Sequence, residues 1–242
     1  MTTASHQAFR ASEYADDGRF HLLLAASGSV ATIKIPNIIQ GLANVPSISV
    51  RVILTRSARE FLQGQAQEQP SLEAIARYPN VAGIHVDEDE WHPTWTRRAP
   101  ILHIELRRWA HALVIAPLSA NTLAKIANGL CDNLLTSVVR AWEVVREPVA
   151  ADDENSASHD QRQLRQRHII IAPSMNTAMW NHPLTAQQLK LFGKGRMMHW
   201  VEVLKPIEKT IACGDTGNGA MCEWNVIVKR ILMEQETFQK PE

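Results

Sequence analysis

Two patterns along the 242 residues predict an α/β fold: strand-length apolar runs alternate with helix-patterned stretches, and polar turns follow several of those runs directly. The expected architecture is an open, doubly wound parallel sheet in a three-layer, flavodoxin-like or Rossmann-like sandwich. Its ligand crevice belongs at the carboxyl ends of the strands. The length suits one substantial domain, taken as residues 20–242, after an N-terminal arm at 1–19 that reads as flexible.

Strands are predicted at His21–Ala26, Val50–Thr55, Ala112–Ala116, His168–Ala172 and His199–Leu204. Four are nearly uninterrupted apolar runs, as strands covered by helices on both faces should be. Helical spacing falls at Ile35–Leu42, Ala58–Leu62, Leu72–Arg77, Ile101–Trp109, Leu184–Phe192 and Val226–Glu236. Another helical stretch, Asn121–Trp142, breaks at Asn128-Gly129, a C-cap signal, with Asp132 placed to cap the second piece. Residues 146–167 are polar, charged and almost free of large apolar side chains, so they read as a disordered surface insertion.

Lys plus Arg and Asp plus Glu number 25 each. With no global positive field, neither nucleic acid nor an anionic membrane is an expected partner, and any anion needs a local site. No apolar run is long enough for a membrane-spanning helix, and the polar N-terminus lacks the apolar stretch of a signal peptide. Three cysteines without a C-x-x-C pair fit a reducing compartment, so a cytoplasmic setting is expected.

Three strand ends carry hydroxyls. The first strand runs into Ser27-Gly28-Ser29-Val30, a small-residue turn at a helix start, where backbone N–H groups and the helix dipole suit a phosphate. It is not G-x-G-x-x-G, which favours a mononucleotide over a dinucleotide, and a tight structural turn explains it equally well. The second strand ends in Thr55, Arg56 and Ser57, with Ser57 equally placed as a helix N-cap. After the third comes Pro117-Leu118-Ser119-Ala120-Asn121-Thr122. Convergence of the three on one crevice argues for a phosphorylated planar cofactor.

The fourth strand leads into Pro173-Ser174-Met175-Asn176, where an amide flanked by apolar groups needs partners if buried. In Ala212-Cys213-Gly214-Asp215-Thr216-Gly217-Asn218-Gly219 the glycines permit hinge-like closure, a lid over a reactive site. His103 opens H-I-E-L-R-R-W, with Arg107 one helical turn on. Spacing alone does not select His103 from the ten histidines.

In order, S-G-S-V-A, H-I-E-L-R-R-W, P-L-S-A-N-T-L-A-K-I-A-N-G-L-C-D-N-L-L-T, P-S-M-N-T-A-M-W and A-C-G-D-T-G-N-G-A-M-C-E-W resemble the homo-oligomeric flavin-containing cysteine decarboxylases, specifically their eukaryotic phosphopantothenoylcysteine decarboxylase branch. The resemblance spans about Arg19 to Trp224, with 146–167 as the main departure. It implies FMN held by Gly28, Ser29, Val30, Thr55, Arg56, Ser57, Ser119, Ala120, Asn121, Thr122 and Ser174, the last standing where relatives often have alanine. It implies substrate held by Asn176, which takes the carboxylate, with Met175, Thr210, Ile211 and Ala212 beside it. His103 is then an acid/base group and Cys213 a proton donor.

The implied reaction is decarboxylation of 4'-phosphopantothenoylcysteine on the route to coenzyme A. By that resemblance FMN would take two electrons from the cysteinyl CH2–SH to give a thioaldehyde, whose C=S takes up the electrons left as CO2 departs, and the reduced flavin would return its two electrons to the resulting enethiolate while Cys213 protonates carbon. Family members form trimers with the flavin site between subunits, so His103 of one chain is expected to meet Asn176 and Cys213 of another. Fungal relatives that inhibit type 1 protein phosphatase, or serve in mixed trimers, supply the competing reading.

Overall fold

The computed structural model describes residues 9–63, 69–92, 94–144, 167–210 and 216–239. Its strands are β1 Phe20–Ala26, β2 Ile48–Leu54, β3 Val81–Val86, β4 Ala112–Leu118, β5 Ile169–Pro173, β6 Val201–Val203, β7 Ile207–Thr210 and β8 Thr216–Ala220. Its helices are α1 Ile35–Gly41, α2 Arg56–Glu60, α3 Leu72–Ala76, α4 Leu102–Trp109, α5 Ala120–Ala127, α6 Leu134–Arg140, α7 Thr177–Trp180, α8 Pro183–Leu189 and α9 Trp224–Gln239. Six parallel strands form one sheet in the order β3-β2-β1-β4-β5-β6, with β7 and β8 as a separate antiparallel hairpin. This is the expected doubly wound sheet in its Rossmann-like strand order, whose direction of winding reverses between β1 and β4.

Alternation along β1 divides the core. Leu22 and Leu24 face a layer built with Ile38, Ile39, Ile227 and Ile231, while Leu23 and Ala25 face Leu106, Leu135 and Val138 on the other side. No described helix is long and apolar enough to cross a membrane.

Three expectations need correction. β3 escapes the sequence pattern because V-A-G-I-H-V is a half-buried edge strand with a glycine inside it. A Cβ on Gly83 would sit 2.8 Å from Arg51 Nη1, so the missing side chain leaves room for a buried guanidinium. The cap of α6 is Asn133, whose Oδ1 accepts from Thr136 N at 2.9 Å, and Asp132 pairs instead with Lys125 at 2.7 Å. Asn128 and Gly129, at φ +72°, do end α5 as expected.

The third correction concerns the arm. Its described part, from Phe9, docks on α4 through Ala11 N, which donates to Glu105 Oε2 at 2.8 Å. The Phe9 ring lies 3.9 Å from the Arg51 guanidinium and Tyr14 OH accepts from Arg51 Nη2 at 3.3 Å. A buried cation offers no hydrophobic periodicity, so the sequence pattern could not show what this segment covers. The polar segment 146–167 lies, except for Arg167, outside the described residues.

Two half-buried histidines add a pH dependence. Burial, with His21 and Arg167 adding positive charge nearby, lowers His111 from 6.5 to about 3, and burial beside Arg51 lowers His85 to about 4. The folded chain therefore resists protons that the unfolded chain takes up from its ordinary value downward. Their contribution to stability is present above pH 6.5 and is lost as pH falls toward those depressed values. Melting temperature should fall as pH is lowered from 6.5 to 4. His111→Asn, which keeps an acceptor for the His21 N–H now received by Nδ1 at 2.9 Å, should flatten that fall; an unchanged slope would count against it. Phe9→Ala should lower stability by about 1–2 kcal/mol in a urea titration, since it uncovers the desolvated Arg51 cation.

Candidate functional site

The site begins at the switch point between β1 and β4. Ser27 is fully buried there; its Oγ accepts from Ser119 N at 2.8 Å and donates to Pro117 O at 3.3 Å. Those two bonds tie the strand ends together and present the turns after them side by side. Thr55 caps α2 by accepting from Ala58 N at 3.3 Å, and Ser119 caps α5 by accepting from Thr122 N at 3.4 Å. Thr55, not Ser57, is therefore the cap of α2.

These turns enclose a cavity of about 890 Å³. Gly28, Ser29, Val30, Thr55, Arg56, Ser57, Ser119, Ala120, Asn121, Thr122 and Ser174 all line it, joined by Met175 and Asn176. Every residue expected to hold the cofactor is thus in one place. Ser29 Oγ donates to Ser174 Oγ at 2.9 Å, linking the turn after β1 to the loop after β5 across the cavity wall. Gly28 is needed because a Cβ there would lie 2.5 Å from Ser57 Cβ.

The lining fits a flavin mononucleotide. Hydroxyls and the capped starts of α2 and α5 offer donors for a phosphate, Arg56 and Lys34 supply positive charge, and Val30, Ile33 and Met179 present exposed apolar surface for a ring. Sequence reasoning missed Asp87, which also lines the cavity. Its carboxylate accepts from Leu134 N at 3.1 Å and Arg56 N at 3.3 Å, so it joins the starts of α6 and α2. Burial raises its pKa above the ordinary carboxylate value, against those two hydrogen bonds.

Asn176 departs from expectation in its environment. It is exposed, and its Oδ1 caps α7 by accepting from Met179 N at 2.8 Å. The amide nitrogen has no protein acceptor among the described residues, leaving a donor suited to a carboxylate. Gly217 and Gly219 serve close packing: Cβ atoms there would lie 1.7 Å from Thr177 Oγ1 and 2.3 Å from the Met175 carbonyl oxygen. The described part of the expected lid is therefore β8, pinned to the loop after β5 by Met175 N donating to Gly219 O at 2.9 Å. Thr210 ends β7 opposite Thr216. Ile211, Ala212 and Cys213 lie outside the described residues.

His103 lines a second, adjoining cavity of about 870 Å³ with Glu90, Trp91, Trp95 and Ile101. Arg56, Asp87, Asp132 and Asn133 border both cavities. Within one chain His103 and Asn176 are not brought together. Arg107, expected to share a face with His103, reaches Glu143 at 3.1 Å, and the partner of His103 is Glu90, 2.6 Å from its Nδ1. Glu90 sits 13 residues before His103, too far for any helical spacing rule to connect them.

A family model described as Flavoprotein matches residues 10–235, nearly the whole chain. The chain belongs to the flavoprotein family. Mouse phosphopantothenoylcysteine decarboxylase is 39% identical to this flavoprotein over 220 residues, covering 89% of this chain and 87% of the mouse one. Among solved structures, a PPC decarboxylase cysteine-to-serine mutant complexed with pantothenoylaminoethenethiol superposes with TM-score 0.69 and 39% identity, over 90% of this chain and 99% of that one. The FMN-binding protein AtHal3 gives TM-score 0.67 and 38% identity, over 93% and 100%. Several longer fungal relatives are matched over 93–94% of this chain but only 31–42% of their own length.

Gly28→Ala should yield protein that folds but carries little flavin, because the added methyl pushes Ser57 out of the cavity wall. The visible absorbance of the purified variant, relative to its protein absorbance, measures this; full flavin content would show that the wall yields.

Proposed function

We propose that this flavoprotein catalyses FMN-dependent decarboxylation of 4'-phosphopantothenoylcysteine to 4'-phosphopantetheine, a carboxy-lyase step of coenzyme A biosynthesis. The observation that carries the reading is the gathering of the whole expected FMN set, with Met175 and Asn176, in one cavity at the sheet's switch point. Similarity to a decarboxylase along nearly the full length of both chains supports it.

Bound FMN supplies a reversible two-electron acceptor, without which loss of CO2 from a simple cysteinyl carboxylate leaves a carbanion that nothing stabilises. Asn176 donates its amide N–H to that carboxylate and orients it, while its carbonyl stays committed to α7. His103 moves a proton as the acid/base group. Cys213 delivers a proton to carbon; the enethiol held by the cysteine-to-serine relative supports this, being the product expected when that proton is not delivered.

The assembly we propose is a homotrimer of catalytic chains in a reducing, cytoplasmic compartment. Trp91 and Trp95, 70% and 52% exposed, lie beside His103, an apolar surface of the kind that marks a protein interface. A second copy docked there brings His103 to the Asn176 side of its neighbour and resolves the separation of the two within one chain. A chain whose sequence carries all of His103, Asn176 and Cys213 is read as catalytic in preference to a phosphatase-inhibitory or mixed-trimer subunit.

Purified protein given phosphopantothenoylcysteine should release CO2 and form the saturated thiol. His103→Asn should abolish CO2 release with flavin still bound, and full activity in that variant would remove His103 from the mechanism. Cys213→Ser should still release CO2 but accumulate the unsaturated thiol, as read by product mass; saturated product at an undiminished rate would reject the proton-donor role.

A further inference from the structure

We infer that Glu90 is the positioning residue for His103, holding the imidazole in one orientation and one tautomer for proton transfer. The inference rests on the acid/base role of His103 proposed above. Glu90 comes from the short 3₁₀ turn Asp87–Trp91 that follows β3, and His103 from the first turn of α4. One carboxylate oxygen lies 2.6 Å from His103 Nδ1, and the other accepts the His103 backbone N–H at 3.1 Å. A single carboxylate thus grips both the ring and the backbone of one residue, which fixes the side chain relative to its own helix.

The chemistry of that grip is specific. A carboxylate facing Nδ1 is only an acceptor, so Nδ1 carries the hydrogen and Nε2 is left to take or give a proton in the cavity His103 lines. The Glu90 side chain is 9% exposed and that of His103 25%, so the pair is largely shielded while the ring keeps access to the cavity. Glu90 also completes α4: Ile101 at the N-cap has no side-chain hydrogen bond to offer, and the carboxylate meets an N–H that the helix leaves open. It sits where negative charge is favoured for two reasons at once, and its second role supports the imidazolium that forms when His103 accepts a proton.

Glu90→Gln and Glu90→Asp separate these roles when measured alongside His103→Asn with phosphopantothenoylcysteine as substrate. Gln keeps the shape but loses the charge and one of the two acceptors, whereas Asp keeps both acceptors on a shorter stem. The Gln variant should retain FMN and its oligomeric state, with kcat reduced about 10- to 100-fold, the size of effect that loss of a hydrogen-bonded orienting partner has on a metal-bound histidine, and KM within about twofold. The Asp variant should recover part of that kcat. A Gln variant with wild-type kcat, or one in which kcat, KM and flavin content fall together and Asp restores nothing, overturns the inference. If His103→Asn is inactive and Glu90→Gln is fully active, only the positioning role fails; an active His103→Asn instead removes the reading beneath it.

Discussion

The Ser119 backbone N–H donates over 2.8 Å to the buried Ser27 hydroxyl, and the rest of the site depends on that contact. Ser27 and Ser119 follow the two strands between which the sheet reverses its winding, the one place where neighbouring crossover helices diverge and leave a crevice. A hydroxyl with no access to water must be satisfied there, since a buried polar group without partners costs about 1–3 kcal/mol. Ser27 meets that demand by accepting from Ser119 and donating to Pro117, and the turn carrying Gly28 and Ser29 is thereby set against the turn carrying Asn121 and Thr122. The cavity follows from satisfying one buried side chain.

From this contact outward, each wall has two duties. Thr55 and Ser119 cap helices and line the cavity. Asn176 spends its carbonyl on α7, and its amide nitrogen has no protein acceptor among the described residues. Asp87 ties the starts of α2 and α6 together at the border between the flavin cavity and the one holding His103. Such sharing places the two cavities side by side in one chain, with Arg56, Asp87, Asp132 and Asn133 as their common border.

Most of this was legible in the sequence where local chemistry carries the signal. Runs such as Leu22–Ala26 and Ile169–Ala172 announce buried parallel strands, and hydroxyls directly after them announce helix caps at a ligand crevice. What local patterns could not show depends on partners distant in sequence. β3 stayed hidden because Gly83 yields its volume to Arg51, and the segment from Phe9 to Tyr14 covers a cation that no periodicity reveals. Glycines 217 and 219 suggested a hinge, yet they permit the backbone of β8 to press against Met175 and Thr177. Glu90 had no motif to mark it, because its meaning lies in a carboxylate placed behind His103 by the turn after β3. His103 itself stood out only through resemblance.

The hydroxyl-lined cavity at the switch point is built for a flavin that carries a phosphate. Calorimetric titration of the flavin-depleted protein with FMN and with riboflavin tests it most directly. One FMN per chain should bind, with riboflavin much weaker, because the capped helix starts and the hydroxyls around Gly28 and Ser119 act on the phosphate. Equal affinity for the two, or uptake of neither, would contradict the account.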